Sequence, residues 1–151
     1  LLIERAFTLE VSSGNIESAE KFAERVLKFN DQHRLSLLVL GLKSMREGKT
    51  ALARQYFQKS AYTPIGELSA ALLTGWTYAS EKNLQGALTE LEKLKRNQAF
   101  ENFRLFHAGL IADCDRAGRL AADQISSIRG ADHAVDRLAG ESRGEQDAAQ
   151  E

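Results

Sequence analysis

HRLSLLVLGLKSMREGKTALARQYFQKSAYTPI, residues 33–65, is the stretch of sequence that decides the fold. Its apolar residues recur three and four positions apart, which predicts two amphipathic helices, and Gly48 separates them. Thr63 and Pro64 are typical of the start of a further helix, because threonine caps helices and proline suits the first helical position. The stretch therefore predicts a helix–turn–helix unit.

Small residues of this unit recur every 34 residues along the chain. They are Gly41, Gly75 and Gly109 in the predicted first helices, and Ala19, Ala53, Ala87 and Ala121 in the predicted second helices. The turn residue Gly48 likewise has Gly14 one period before it. Since side chains of at most one carbon let two helices approach closely, we predict that each of these glycines and alanines lies where the two helices of a pair cross.

This pattern resembles the tetratricopeptide repeat family over residues 1 to about 130, since that family repeats a helix–turn–helix of 34 residues. The resemblance implies an all-α solenoid of antiparallel helix pairs, wound into a right-handed superhelix. The predicted repeats are about 1–32, 33–66, 67–100 and 101–130. In the fourth repeat, we expect a first helix from about Phe100 and a turn around Arg116–Gly118.

The chain departs from the family pattern at several places. Phe7 stands where glycine is usual, and Glu10 stands where an aromatic residue is usual. Lys82 and Arg116 take the place of the turn glycine in the third and fourth repeats. Terminal repeats of such arrays are often atypical, so these departures bear on the ends of the array more than on its architecture.

Charge separates the repeats from the C-terminal segment. Residues 131–151 carry a net charge of −4, which leaves +3 on residues 1–130 of a chain whose total is −1. A body of +3 is too weakly basic for strong nucleic-acid binding. The polar, acidic segment 131–151 predicts at most a short helix over 131–139, followed by a disordered tail.

The first residue, the length of the apolar runs and the cysteine count indicate something about the rest of the protein and its compartment. The chain begins with the apolar Leu1 rather than methionine, so we expect the repeat array to continue before it. No apolar run approaches the roughly 20 residues that span a bilayer, and we predict no transmembrane segment. The single cysteine, Cys114, excludes an internal disulfide framework but leaves the compartment open between cytoplasm and bacterial periplasm.

Two columns of large apolar residues follow the same 34-residue period. In the family, the first helix of each pair faces a concave groove, and the resemblance places in that groove Leu38, Leu72, Phe106, Leu42, Trp76 and Leu110, here called the apolar stripe. Family members that bind a peptide's terminal carboxylate carry lysine and asparagine at these columns, and this chain has neither there. Two interpretations stay open: the stripe is internal packing, or it binds an apolar or amphipathic segment of a partner.

Catalytic motifs are missing from the sequence. It has no glycine-rich phosphate loop, no GxSxG and no HExxH. His107 and Cys114 could share a helix face, but two potential ligands do not close a metal site. We therefore expect no enzyme activity, cofactor or metal, and a protein or peptide partner of unknown identity. The predicted function is a protein–protein interaction scaffold, with the docking arm of a larger enzyme and a structural spacer as alternatives.

Overall fold

The structure is a computed structural model that describes the backbone of residues 2–148 and the side chains of residues 2–124 and 126. It confirms the all-α prediction, because its described residues form helices and no strand. The helices are α1 (Leu2–Ser12), α2 (Ile16–Leu27), α3 (Arg34–Arg46), α4 (Thr50–Lys59), α5 (Pro64–Ser80), α6 (Leu84–Glu92) and α7 (Glu101–Ala148). Two 3₁₀ turns, Lys93–Arg96 and Gln98–Phe100, connect α6 to α7.

The chain divides into two units after Ala112. The first unit contains α1 to α6, the 3₁₀ turns and the beginning of α7. The second unit begins at Asp113, and its described backbone is the remainder of α7. Ion pairs one helical turn apart join Arg116 to Asp113 and Arg119 to Asp115 within that unit.

The hydrophobic core of the first unit consists of three clusters in chain order. The first cluster contains Phe7, Ala23 and Leu40. The second contains Ala53 and Phe57. The third consists of Leu68, Ala71, Ala87, Leu91, Leu94 and Ile111. From α1 to α6, each helix packs against the next one in the chain. Packing between chain neighbours is the arrangement expected of stacked repeats.

The first two glycines of the 34-residue period lie at close helix contacts. A Cβ atom added at Gly41 would lie 2.3 Å from the ring of Phe57, and one added at Gly75 would lie 3.2 Å from Leu91. The alanines Ala19, Ala53 and Ala87 are buried as well. A residue without a side chain is therefore required where α3 meets α4. Where α5 meets α6, Leu91 would have to move by only a few tenths of an ångström to admit an alanine.

The first helix pair has exchanged its large and small residues. Phe7 stands one period before Gly41, and Ala23 stands one period before Phe57. Both Phe7 and Ala23 are fully buried in the same cluster. The aromatic ring therefore comes from the first helix in this pair and from the second helix in the next pair. The exchange explains how Phe7 can stand in place of the usual glycine without a clash, because the small Ala23 leaves room for its ring.

The turn predicted around Arg116–Gly118 is wrong, because α7 continues through these residues without interruption. Gly109 and Ala121 therefore do not lie at a helix crossing. Both are exposed, and among the described residues no atom outside the local backbone of α7 lies within 4 Å of a Cβ added at Gly109. Arg116 is a strong helix former, and its ion pair with Asp113 supports the continued helix. Residues 131–148 also belong to α7, where we expected a short helix and a tail; their side chains, and residues 149–151, lie outside the described residues.

The helix cap predicted at Thr63 is confirmed. The Thr63 hydroxyl accepts a hydrogen bond from the Gly66 backbone N–H at 3.1 Å, at the start of α5. The Asn83 side chain accepts one from the Gly86 N–H at 2.8 Å, at the start of α6. His33, which the sequence pattern did not indicate as a cap, accepts from the Ser36 N–H at the start of α3. These bonds satisfy N–H groups that have no partner inside a helix.

The turns within the first three helix pairs share one backbone feature. Gly14, Gly48 and Lys82 have φ angles of 75°, 74° and 58°, at successive positions of the 34-residue period. This left-handed conformation favours glycine, because a Cβ atom there meets the following carbonyl oxygen. Lys82 therefore holds a strained backbone in a turn that glycine would form without strain.

We expect Lys82→Gly to raise the free energy of unfolding by about 1 kcal/mol, because it removes the left-handed strain. The gain is limited by the greater freedom of glycine in the unfolded chain. Gly48→Lys is the matched reverse change and should lower stability by a similar amount. Urea unfolding of the two variants and the parent chain measures both effects. A stability loss for Lys82→Gly would contradict the strain at this turn.

Candidate partner-binding surface

The apolar stripe is neither wholly buried nor wholly exposed. Leu38, Leu72 and Trp76 are partly buried. The other three members are more open, with exposed fractions of 47% for Leu42, 63% for Phe106 and 39% for Leu110. Phe106 on α7 is the most exposed member, and the stripe thus contains both partly buried and accessible residues.

The partly buried members pack against two different core clusters. Leu38 packs against the cluster of Ala53 and Phe57. Leu72 and Trp76 pack against the cluster that contains Leu91 and Ile111. One side of each residue thus belongs to the core of the first unit, which fixes the position of the side chain.

The accessible part of the stripe extends to a residue that the repeat columns did not indicate. Phe103 is half exposed, and it precedes Phe106 and Leu110 by three and seven positions. Residues at this spacing share one face of a helix. The helical spacing alone could have identified Phe103, because the three residues form one apolar face of α7.

A chain of aromatic contacts joins α5 to α7 next to this face. The indole N–H of Trp76 donates a hydrogen bond to Nδ1 of His107 at 3.0 Å. The Trp76 and His107 rings meet edge to face with centroids 6.2 Å apart, and His107 meets the Phe106 ring in the same way at 5.6 Å. Because Nδ1 accepts a hydrogen bond from the indole N–H, this nitrogen carries no proton and presents its lone pair to Trp76. His107 thus acts as a link between two members of the stripe.

Arg104 fixes the start of α7 from another side of the helix. Its guanidinium donates to both carboxylate oxygens of Glu101, at 2.6 and 2.8 Å, and to Glu92 at 2.8 Å. The side chain is largely buried. The hydrogen bond from Arg104 holds the pKa of the Glu101 carboxyl below its ordinary value of 4.5. The (i, i+3) spacing of Glu101 and Arg104 signals part of this network, but the contact with Glu92 depends on the fold.

We expect this network to make the fold sensitive to acid. The pKa of Glu101 is lower in the folded chain than its ordinary value of 4.5, so its contribution is complete above that pH and is lost as the pH falls through the lowered pKa. Unfolding measured from pH 7 to pH 3 should show a smaller acid loss for Glu101→Gln than for the parent chain. Glu17→Gln, at an exposed position of α2, controls for removal of one carboxylate. Equal acid losses for the parent and Glu101→Gln would contradict the expectation.

Two classes of site are missing from the part of the chain that the structure describes. In that part, no three residues among histidine, cysteine, aspartate and glutamate are grouped so that they could hold a metal ion. Within the same residues, no helix has both the length and the apolar character needed to cross a membrane. Cys114 is exposed, whereas His107 is engaged with Trp76.

No protein-family model matches the chain, and no curated protein matches it either. Its function must therefore be inferred from the arrangement of its own residues.

Proposed function

We propose that the chain is a protein–protein interaction module of the tetratricopeptide-repeat kind, whose apolar stripe binds an apolar or amphipathic helix of a partner. The observation that carries the proposal is the accessible apolar face of α7, formed by Phe103, Phe106 and Leu110. Leu42 on α3 adds a further exposed residue of the same stripe. Apolar side chains that are exposed side by side on one helix face are a feature of protein-interaction sites.

Two observations support a solenoid of antiparallel pairs as the setting of this surface. The core clusters follow chain order, and the left-handed turn residues recur every 34 residues. In such a solenoid the first helices line a concave groove, with the stripe inside it. The right-handed superhelix belongs to the same proposal.

An amphipathic helix is the partner that this chemistry favours. Large apolar side chains in a groove receive the apolar face of a helix, through anchors three, four and seven residues apart. Trp76 is the expected centre of the interface, because tryptophan is enriched among the residues that dominate binding energy. Its bond to His107 holds the indole in one orientation before binding, and a surface that is already ordered loses less entropy on association.

The test is selection of helical peptides from a displayed library against the full chain. Phe106→Asp and Leu42→Asp should each weaken the selected peptides at least tenfold, because each introduces a charge into the apolar contact. Phe29→Asp and Leu9→Asp are matched controls, since both residues are exposed and lie outside the stripe. Their affinities should stay within threefold of the parent.

Two results would contradict the proposed function. Selected peptides that bind all four variants equally would show that another surface binds them. A library that yields no peptide above background would favour the alternative of a structural spacer.

A further inference from the structure

A cleft of about 290 Å³ opens to solvent beside α4, α5 and α6, and it shares no residue with the apolar stripe. Ala70, Ala71 and Thr74 of α5 form one wall, while Leu94 and Phe100 lie among the lining residues from the 3₁₀ turns. This volume is close to the lower end of small-molecule sites. It suits a single ring better than a large cofactor.

The 34-residue period explains why the cleft exists. At five of the twelve lining positions, the equivalent residue one period earlier is larger or more apolar. The earlier residues and their later equivalents are Leu27 and Ala61, Leu37 and Ala71, Leu40 and Thr74, Tyr56 and Glu90, and Tyr62 and Arg96. At the earlier place, Leu27 and Tyr56 pack against the cluster that contains Leu40.

Two later residues offset part of this loss of volume. Leu94 stands one period after Ser60, and Phe100 stands one period after Gly66. Both are larger than their equivalents, and both line the cleft. Ala61 and Glu90 line the space that remains, and a leucine and a tyrosine stand at their places in the preceding repeat.

Glu90 gives the cleft a defined hydrogen-bond acceptor. Its side chain is only 15% exposed, and one carboxylate oxygen, Oε2, pairs with the Lys93 ammonium at 2.6 Å. A carboxylate has about four lone-pair sites, so Glu90 keeps capacity to accept a bond from a ligand. A ligand with an aromatic ring and a hydroxyl would use both the apolar wall and the acceptor: the ring would pack on the wall, and the hydroxyl would donate to Glu90.

We propose that the cleft binds the side chain of a tyrosine from a partner polypeptide. The phenol ring would contact Ala71, Leu94 and Phe100, and its hydroxyl would donate to the Glu90 carboxylate. In the preceding repeat a tyrosine, Tyr56, stands at the position equivalent to Glu90 and packs against the cluster that contains Leu40, so this place in the repeat accommodates a phenol ring. The inference concerns a surface separate from the apolar stripe and does not depend on helix binding there.

The experiment follows backbone amide shifts of the full chain by NMR during titration with three probes. N-acetyltyrosinamide and 4-methylphenol should both shift the amides of residues 70–74 and 90–97, with dissociation constants on the order of 1–10 mM for so small a contact. Toluene, which lacks the hydroxyl, should bind at least threefold more weakly than 4-methylphenol. Phe106→Asp should change none of these affinities.

Variants of the cleft distinguish the contribution of the probe's ring to binding from that of its hydroxyl. Glu90→Tyr and Ala61→Leu each fill space in the cleft and should weaken both phenolic probes at least tenfold; two filling variants guard against misfolding of either one. Glu90→Gln keeps the space but removes the charge, so it should weaken 4-methylphenol while leaving toluene unchanged. Glu17→Tyr, with the same substitution at an exposed position of α2, should bind all probes like the parent.

Three outcomes would overturn the proposal. In the first, neither phenolic probe shifts the amides of the cleft. In the second, folded Glu90→Tyr or Ala61→Leu binds both probes as the parent does. In the third, 4-methylphenol saturates the cleft while N-acetyltyrosinamide does not, which would assign the cleft to free phenols instead of a polypeptide.

Discussion

Replacing Gly41 with alanine is expected to lower the free energy of unfolding by about 3 kcal/mol, at the upper end of overpacking costs. The added Cβ atom would lie 2.3 Å from the Phe57 ring, so the ring or the helix must move. Gly75→Ala should cost less than about 1 kcal/mol, because the equivalent contact with Leu91 is 3.2 Å and alanine also favours the helix. Gly109→Ala should stabilise by up to about 1 kcal/mol, since it gains helix propensity without a clash.

Urea unfolding of these three variants provides the comparison, and the order of their effects matters more than any single value. The same substitution at three positions of one period keeps the chemical change constant. Equal effects at Gly41 and Gly109 would contradict both the close contact between α3 and α4 and the absence of a fourth helix pair.

Replacing Phe7 with glycine is expected to cost about 4–5 kcal/mol, because it empties the largest fully buried side chain of the first pair. Ala23→Phe alone should cost about 1–3 kcal/mol, since Phe7 already fills the space. The double variant Phe7→Gly with Ala23→Phe has glycine in the first helix and phenylalanine in the second helix, the same arrangement as Gly41 and Phe57 in the next pair. It should therefore recover at least about 2 kcal/mol relative to Phe7→Gly, within the range of couplings between contacting residues.

A double-mutant cycle from urea unfolding measures this coupling. Phe7→Gly with Leu9→Phe is the matched control, because Leu9 is exposed and a ring there cannot refill the core. If the losses of Phe7→Gly and Ala23→Phe simply add, the two helices of the first pair have not exchanged equivalent residues.

The 34-residue period predicted the buried positions well where two helices meet. Gly41 and Ala53 could be identified because a close crossing restricts side-chain size, and that restriction repeats with the period. Gly109 and Ala121 satisfy the same pattern but have no crossing. A small residue permits two helices to approach closely but does not bring a second helix there. A second helix requires the chain to turn, and whether it turns depends on the residues at the turn position. Arg116, in place of a turn glycine, favoured continuation of α7.

The proposed binding surface was predictable only in part. Periodicity identified the columns that contain Leu42 and Phe106, but it could not give their exposure, which depends on what packs over each helix. The bond from Trp76 to His107 and the contact of Arg104 with Glu92 join residues of different helices, so helical spacing cannot reveal them. The cleft beside Glu90 depends on which side chains of α4, α5 and α6 come together, so helical spacing cannot reveal it either.

Emission from Trp76 tests the central claim, that the apolar stripe binds a helical partner, most directly. Trp76 is the only tryptophan of the chain and lies partly buried in the stripe, so the spectrum reports this position alone. Titration with a selected peptide that lacks tryptophan should shift the emission to shorter wavelength with a saturable curve, because the peptide excludes water from the indole. A peptide that binds by calorimetry while the Trp76 emission stays unchanged would contradict the claim and direct attention to another surface.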